Sequence, residues 1–173
     1  MQEFAQLMAE ENLPRLPDQM VGMVHTLVFQ ANIGDRFIPE PVMQFTLILS
    51  SSPQDPASRR ALCFARAVIA GGHQLQRIFF YQDAVHLASR LLVVPQDEQN
   101  LAAQWQEFIR ENQLDAVVCI AAGLRRGILD QAEAQRYKKN ADNLAEGFEL
   151  SGLGQLHAAM QDADRVVHFK GDA

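Results

Sequence analysis

The sequence predicts an α/β fold, a mostly parallel sheet with helices on both faces, in a single domain that follows an N-terminal extension. Three observations lead there. Short apolar runs of strand character alternate with runs of helical spacing over roughly 130 residues, the pattern of strands linked by crossover helices. The strand runs are nearly continuous in apolar character, as expected of strands covered on both sides. Finally, 173 residues that are 48% hydrophobic and 21% charged suit one well-packed soluble domain and not a disordered chain.

Residues 1–42 stand apart. Phe4, Leu7, Met8 and Glu11 share helical spacing over 1–12, and Pro14 and Pro17 stop that helix. Residues 20–29 have strand character, and Asn32 to Pro41 reads as loop. The segment is either an appendage that docks on the domain or a partner, or the product of an upstream start assignment. We prefer the second, because the domain body opens cleanly over 43–173 with a strand directly behind Met43.

Gln44 to Leu49 is the first strand of that body. Asp55-Pro56 starts a helix, a capping side chain followed by proline at the first helical position. Ala61, Leu62, Ala65, Val68 and Ile69 form its apolar face, and Gly71-Gly72 ends it. Leu75 to Tyr81 is the second strand, and a short helix is expected within Asp83 to Leu92. Leu101, Trp105, Phe108 and Ile109 mark an amphipathic helix ending near Asn112. Ala116 to Ala121 is the third strand. Asp130 to Glu146 reads as exposed helix and loop, Gly147 to Gly154 as a glycine-punctuated link, and Gln155 to Gln161 as a short helix. Arg165 to Phe169 is the last strand. In such sheets functional groups gather outside the carboxyl ends of the strands, which singles out the loops Ser50–Asp55, Tyr81–Val85 and Cys119–Arg126.

Composition narrows the function. A net charge of -6 argues against a main task of holding nucleic acid by its phosphates. Two cysteines, Cys63 and Cys119, make no disulfide framework and no paired metal-ligand spacing, so a reducing cytoplasm is expected. His73, His86, His157 and His168 are scattered without ligand spacing, and no metal or organic cofactor is expected. Ser50-Ser51-Ser52 resembles a phosphate-binding turn only superficially, for no glycine-rich phosphate loop is present.

Cys119 is the residue around which chemistry can be built. A cysteine in an apolar strand is commonly a small core residue. Here, however, it falls near the carboxyl end of its strand, a helix start is expected just beyond, and Arg125 and Arg126 follow. Helix N-termini and fixed cations are the surroundings that lower a thiol pKa from about 8.5. Both arginines are expected at the start of that helix, where the dipole disfavours them, which hints at use with an anionic group. The span 125–139 adds Arg136, Lys138 and Lys139 against Asp130 and Glu133, a local charge of +3 that suits an acidic protein partner or is simply a solvated face. Cys63, inside the first helix, is expected to be buried or half-buried and to carry no chemistry.

The run Cys119-Ile120-Ala121-Ala122-Gly123-Leu124-Arg125-Arg126-Gly127-Ile128-Leu129-Asp130 resembles the active-cysteine segment of sulfurtransferase subunits of the DsrE-like family. Further matches are Phe45 to Leu49, Gly72-His73-Gln74-Leu75, Phe79-Phe80-Tyr81, Gly147-Phe148-Glu149-Leu150-Ser151-Gly152-Leu153-Gly154, and Asp164-Arg165-Val166-Val167-His168-Phe169. Gly123 stands where the family commonly has alanine, and Ala84 where related loops have glycine. The resemblance implies a persulfide relay: Cys119 accepts a sulfane sulfur from an upstream carrier protein, holds it as Cys-S-SH and passes it on, with Arg125 and Arg126 stabilising the persulfide or contacting the partner. It also implies two companion subunits of the same family in a heterohexamer, and an end use of the sulfur in 2-thiolation of wobble uridine in tRNA. Relatives of this fold that serve as non-catalytic structural subunits, or that work in sulfur oxidation, are the alternatives. A carrier thiol reached by other proteins is expected to be exposed.

Overall fold

The computed structural model describes residues 41–171. The helix expected over 1–12 and the strand expected over 20–29 lie outside the described residues. Five strands, β1 (Gln44–Leu49), β2 (Gln74–Phe80), β3 (Ala116–Cys119), β4 (Phe148–Ser151) and β5 (Arg165–Phe169), form one parallel sheet in the order β4-β3-β2-β1-β5. Between them lie α1 (Pro56–Ala70), a 3-10 helix (Gln82–Ala88), α2 (Leu101–Asn112), α3 (Ile120–Arg125), α4 (Gln131–Arg136) and α5 (Leu153–Asp162).

Chirality explains how the layers are filled. From β1 to β4 each crossover steps the same way along the sheet, so right-handed connections place their helices on one face. The β4-to-β5 connection steps back past β3, β2 and β1, which sends α5 to the other face. Side chains confirm this. Phe45, Leu47 and Leu49 look towards α1, where Phe45 and Phe169 both meet the Phe64 ring at 5.9 and 5.7 Å between centroids. On the same face Phe80 lies between Trp105 of α2, at 5.6 Å, and Phe148 of β4, at 5.2 Å. Thr46 points the other way and donates its hydroxyl to the Ala159 carbonyl of α5. Arg77, its neighbour in register, reaches Gln155 on the same helix.

Most local expectations hold. Asp55 caps α1, accepting from the Ala57 amide at 2.7 Å, with Pro56 in the first turn. At the other end Gly72 adopts φ +76°, and the His73 and Gly72 amides return to the Val68 and Ile69 carbonyls, closing the helix in a Schellman motif. Two readings need correction. The third strand stops at Cys119 and not Ala121, because Ile120-Ala121-Ala122 turns directly into α3; an apolar run this short does not separate strand from helix. Phe148–Ser151, read as a link, is the edge strand β4, whose four residues are masked by flanking glycines. The stretch over 130–146 is largely exposed helix and loop, as expected, and is anchored at a few points. Asp130 caps α4, Asn143 accepts from the Leu129 amide, and Glu133, Ala134 and Ala145 are buried.

Candidate functional site

Cys119 ends β3 in register with Ser151 of β4 and occupies the N-cap position of α3. The expected strand-end placement is therefore met. Exposure is not: the residue is 2% accessible and belongs to the core cluster. The accessible thiol is Cys63, on the outer side of α1, more open than the burial or half-burial expected of it. A strand-end cysteine followed at once by a helix is enclosed by both elements, whereas Cys63 falls between the apolar positions Leu62 and Ala65 that face the sheet.

The arginines also sit differently. Arg125 is the last residue of α3 and Arg126 its C-cap, so both lie at the end where positive charge is favoured. The argument from a misplaced charge falls away. Arg125 is exposed. The Arg126 guanidinium folds back, donating through Nε to Asp83 Oδ1 at 2.8 Å and through Nη1 to the Ala122 carbonyl at 3.4 Å. It thus ties α3 to the 3-10 helix after β2, a link that sequence spacing of 43 residues did not reveal. The rest of the basic span is exposed at Arg136, Lys138 and Lys139. Arg136 lies 5.7 Å from the Tyr137 ring and contacts Glu133 at 3.4 Å.

Sequence reasoning missed a second polar cluster. Where β5 returns beside β1, the Ser50 hydroxyl lies 2.9 Å from His168 Nε2. Burial, and then the nearby Lys170 ammonium, hold the imidazole pKa below its ordinary value of 6.5. The two residues border an open crevice of about 550 Å³ with the serine loop, Tyr81 and Asp83. The alternation of His168 with Val167 and Phe169 was the available signal, since it turns the imidazole away from the α1 face. Another crevice, of about 610 Å³, separates the start of α1 from residues 92–102.

The model of the DsrE/DsrF-like family matches residues 43–169. The chain belongs to that family. A sulfurtransferase TusD homolog of Pseudomonas aeruginosa is 56% identical over 130 residues, covering 75% of this chain and 99% of that protein. The putative sulfurtransferase DsrE of Allochromatium vinosum is 44% identical over 128 residues, 73% of this chain and 98% of that protein. Sulfurtransferase TusD of Sodalis glossinidius is 47% identical over 109 residues, 63% and 84% of the two chains. Among solved structures, the ychN protein from E. coli superposes with a TM-score of 0.58 at 19% identity, over 75% of this chain and all of its own, a likeness of fold. Within the DsrE/DsrF-like fold, then, segments 147–154 and 164–169 hold the two opposite edge strands, and Cys119 ends the internal strand beside the first of them.

Proposed function

We propose that the protein is a sulfurtransferase subunit whose Cys119 carries sulfane sulfur as a persulfide between carrier proteins, in the service of 2-thiolation of tRNA wobble uridine. The 56% identity to a TusD homolog over nearly that protein's whole length carries the reading. In the transfer the Cys119 thiolate attacks the outer sulfur of a donor persulfide. The new S–S bond forms as the old one breaks, and the donor cysteine leaves as thiolate. Passing the sulfur on repeats the step with Cys119 as leaving group. No redox change or bound cofactor is needed. The exposed cations Arg125, Lys138 and Lys139 suit docking of an acidic carrier. TusC-like and TusB-like subunits would complete a heterohexamer in the cytoplasm, and Leu153, Met160 and Val166, exposed on α5 and β5, offer apolar surface for such assembly. Among the described residues no helix is long and apolar enough to cross a membrane. Because Cys119 is buried, the relay requires that a partner uncover it.

The test is transfer of labelled sulfur from cysteine through a desulfurase and its carrier, read by mass spectrometry. Label is expected on Cys119 and abolished by Cys119→Ser, with Cys63→Ser still labelled. Label on the Cys119→Ser protein would overturn the assignment. Burial of the thiol favours a second reading, a structural subunit without catalysis, and that reading requires Cys119 to stay unreactive towards alkylating agents in the assembled complex.

A further inference from the structure

We propose that the crevice between the ends of β1 and β5 binds a free α-amino acid, its carboxylate on Lys170 and its ammonium group on the outer oxygen of Asp55. Position is the first argument. The crevice is walled by the loops that follow β1 and β2 and by the chain that follows β5, and open α/β sheets place ligands outside the carboxyl ends of their strands. Its volume, about 550 Å³, lies within the range that small-molecule sites occupy.

Charge bookkeeping then selects the ligand. Of the two carboxylates in the wall, Asp83 is already held by Arg126 at 2.8 Å. Asp55 uses Oδ1 to cap α1 at 2.7 Å, which leaves Oδ2. Oδ2 lies close against the Gly171 backbone, where an added Cβ would stand 2.5 Å from it, so a residue without a side chain is needed there. Lys170 borders the same space, and among the described residues it forms no ion pair. One unspent positive group and one unspent carboxylate oxygen match a zwitterion. A phosphate-like dianion would meet Lys170 but face two carboxylates without a gain to offset their repulsion. The Ser50–His168 pair supplies neutral hydrogen-bonding capacity between them, because the imidazole is held uncharged near neutral pH and does not repel the ammonium group. Cys119 does not line the crevice, so the site stands or falls independently of the sulfur relay.

Calorimetric titration of the full chain with each of the common L-amino acids, and with sodium acetate, ethylamine and inorganic phosphate, tests this. At least one amino acid is expected to saturate below about 1 mM, with the three simple ions silent at that concentration. Lys170→Gln should weaken binding at least about tenfold, the loss of one charge-assisted hydrogen bond, and Lys170→Arg should retain it. Lys170 is exposed, so an unchanged melting temperature in Lys170→Gln separates lost binding from lost fold. The proposal is overturned by absence of any amino-acid binding at about 10 mM, by phosphate or acetate binding as tightly, or by an unaffected Lys170→Gln variant.

Discussion

At Gly123 the packing leaves room for one methyl group. A Cβ there would lie 3.4 Å from the Ile128 carbonyl oxygen and from Leu150 Cδ2, ordinary contact distances, and the backbone is not in the left-handed region. Alanine removes the entropic cost of glycine within a helix, so Gly123→Ala should raise stability by about 0.5–1 kcal/mol in urea denaturation. A larger residue such as Leu overfills the site and should cost about 1–3 kcal/mol. His168 supports a pH prediction. Its pKa is depressed in the folded state, so its contribution is present above the ordinary value of 6.5 and is lost as pH falls through the depressed value. The melting temperature should therefore decline slightly more steeply below pH 6.5 in the native chain than in His168→Gln. Because the imidazole is largely exposed, the difference is small, and identical slopes would refute the linkage. Strand alternation tells which way His168 faces but not that it meets Ser50, 118 positions away, which happens only because β5 lies beside β1.

Elements with strong local signals were legible and those defined by their neighbours were not. α1 carries its own instructions, with Asp55 and Pro56 at one end, glycines at the other and an apolar stripe between. Asp55→Ala should cost about 1 kcal/mol in urea denaturation, and Asp55→Asn, which retains the acceptor oxygen, much less. β3 and α3 share the small apolar run from Ala116 to Ala122, and the boundary falls at Cys119 for reasons of pairing with β4, which local sequence does not express. β4 itself is a strand only because Ala116 to Cys119 offers it a partner. The consequence reached the site. With the strand ended two residues early, the arginines moved from the start of α3 to its end, and their expected electrostatic role changed with them.

Across the whole molecule the accessibilities of the two thiols run opposite to what the sequence suggested. Brief alkylation of the native chain followed by peptide mass mapping should modify Cys63 first and Cys119 only slowly, since Cys63 is exposed and Cys119 is enclosed. If companion subunits uncover the site, Cys119 becomes the faster of the two in the complex, with Cys63 serving as the internal reference. Comparable rates for both thiols in the single chain would contradict the burial. Fold class was readable because it depends on the repeating alternation of strand and helix, which survives small boundary errors. Burial of a particular sulfur depends on three elements meeting at one point, and a linear pattern does not contain it.

The pairing of β5 with β1 also bears on how the chain folds as it is made. Residues 165–169 supply one side of the strand at 44–49, and the intervening elements are all synthesised first. An emerging chain can join β1, β2 and β3 in sequence, but it exposes the far edge of β1 until the last strand arrives. Contacts of such long sequence separation form slowly, and an open strand edge is an invitation to mispairing in the meantime. The burden of protecting the nascent protein on the ribosome therefore falls on whatever shields that single edge.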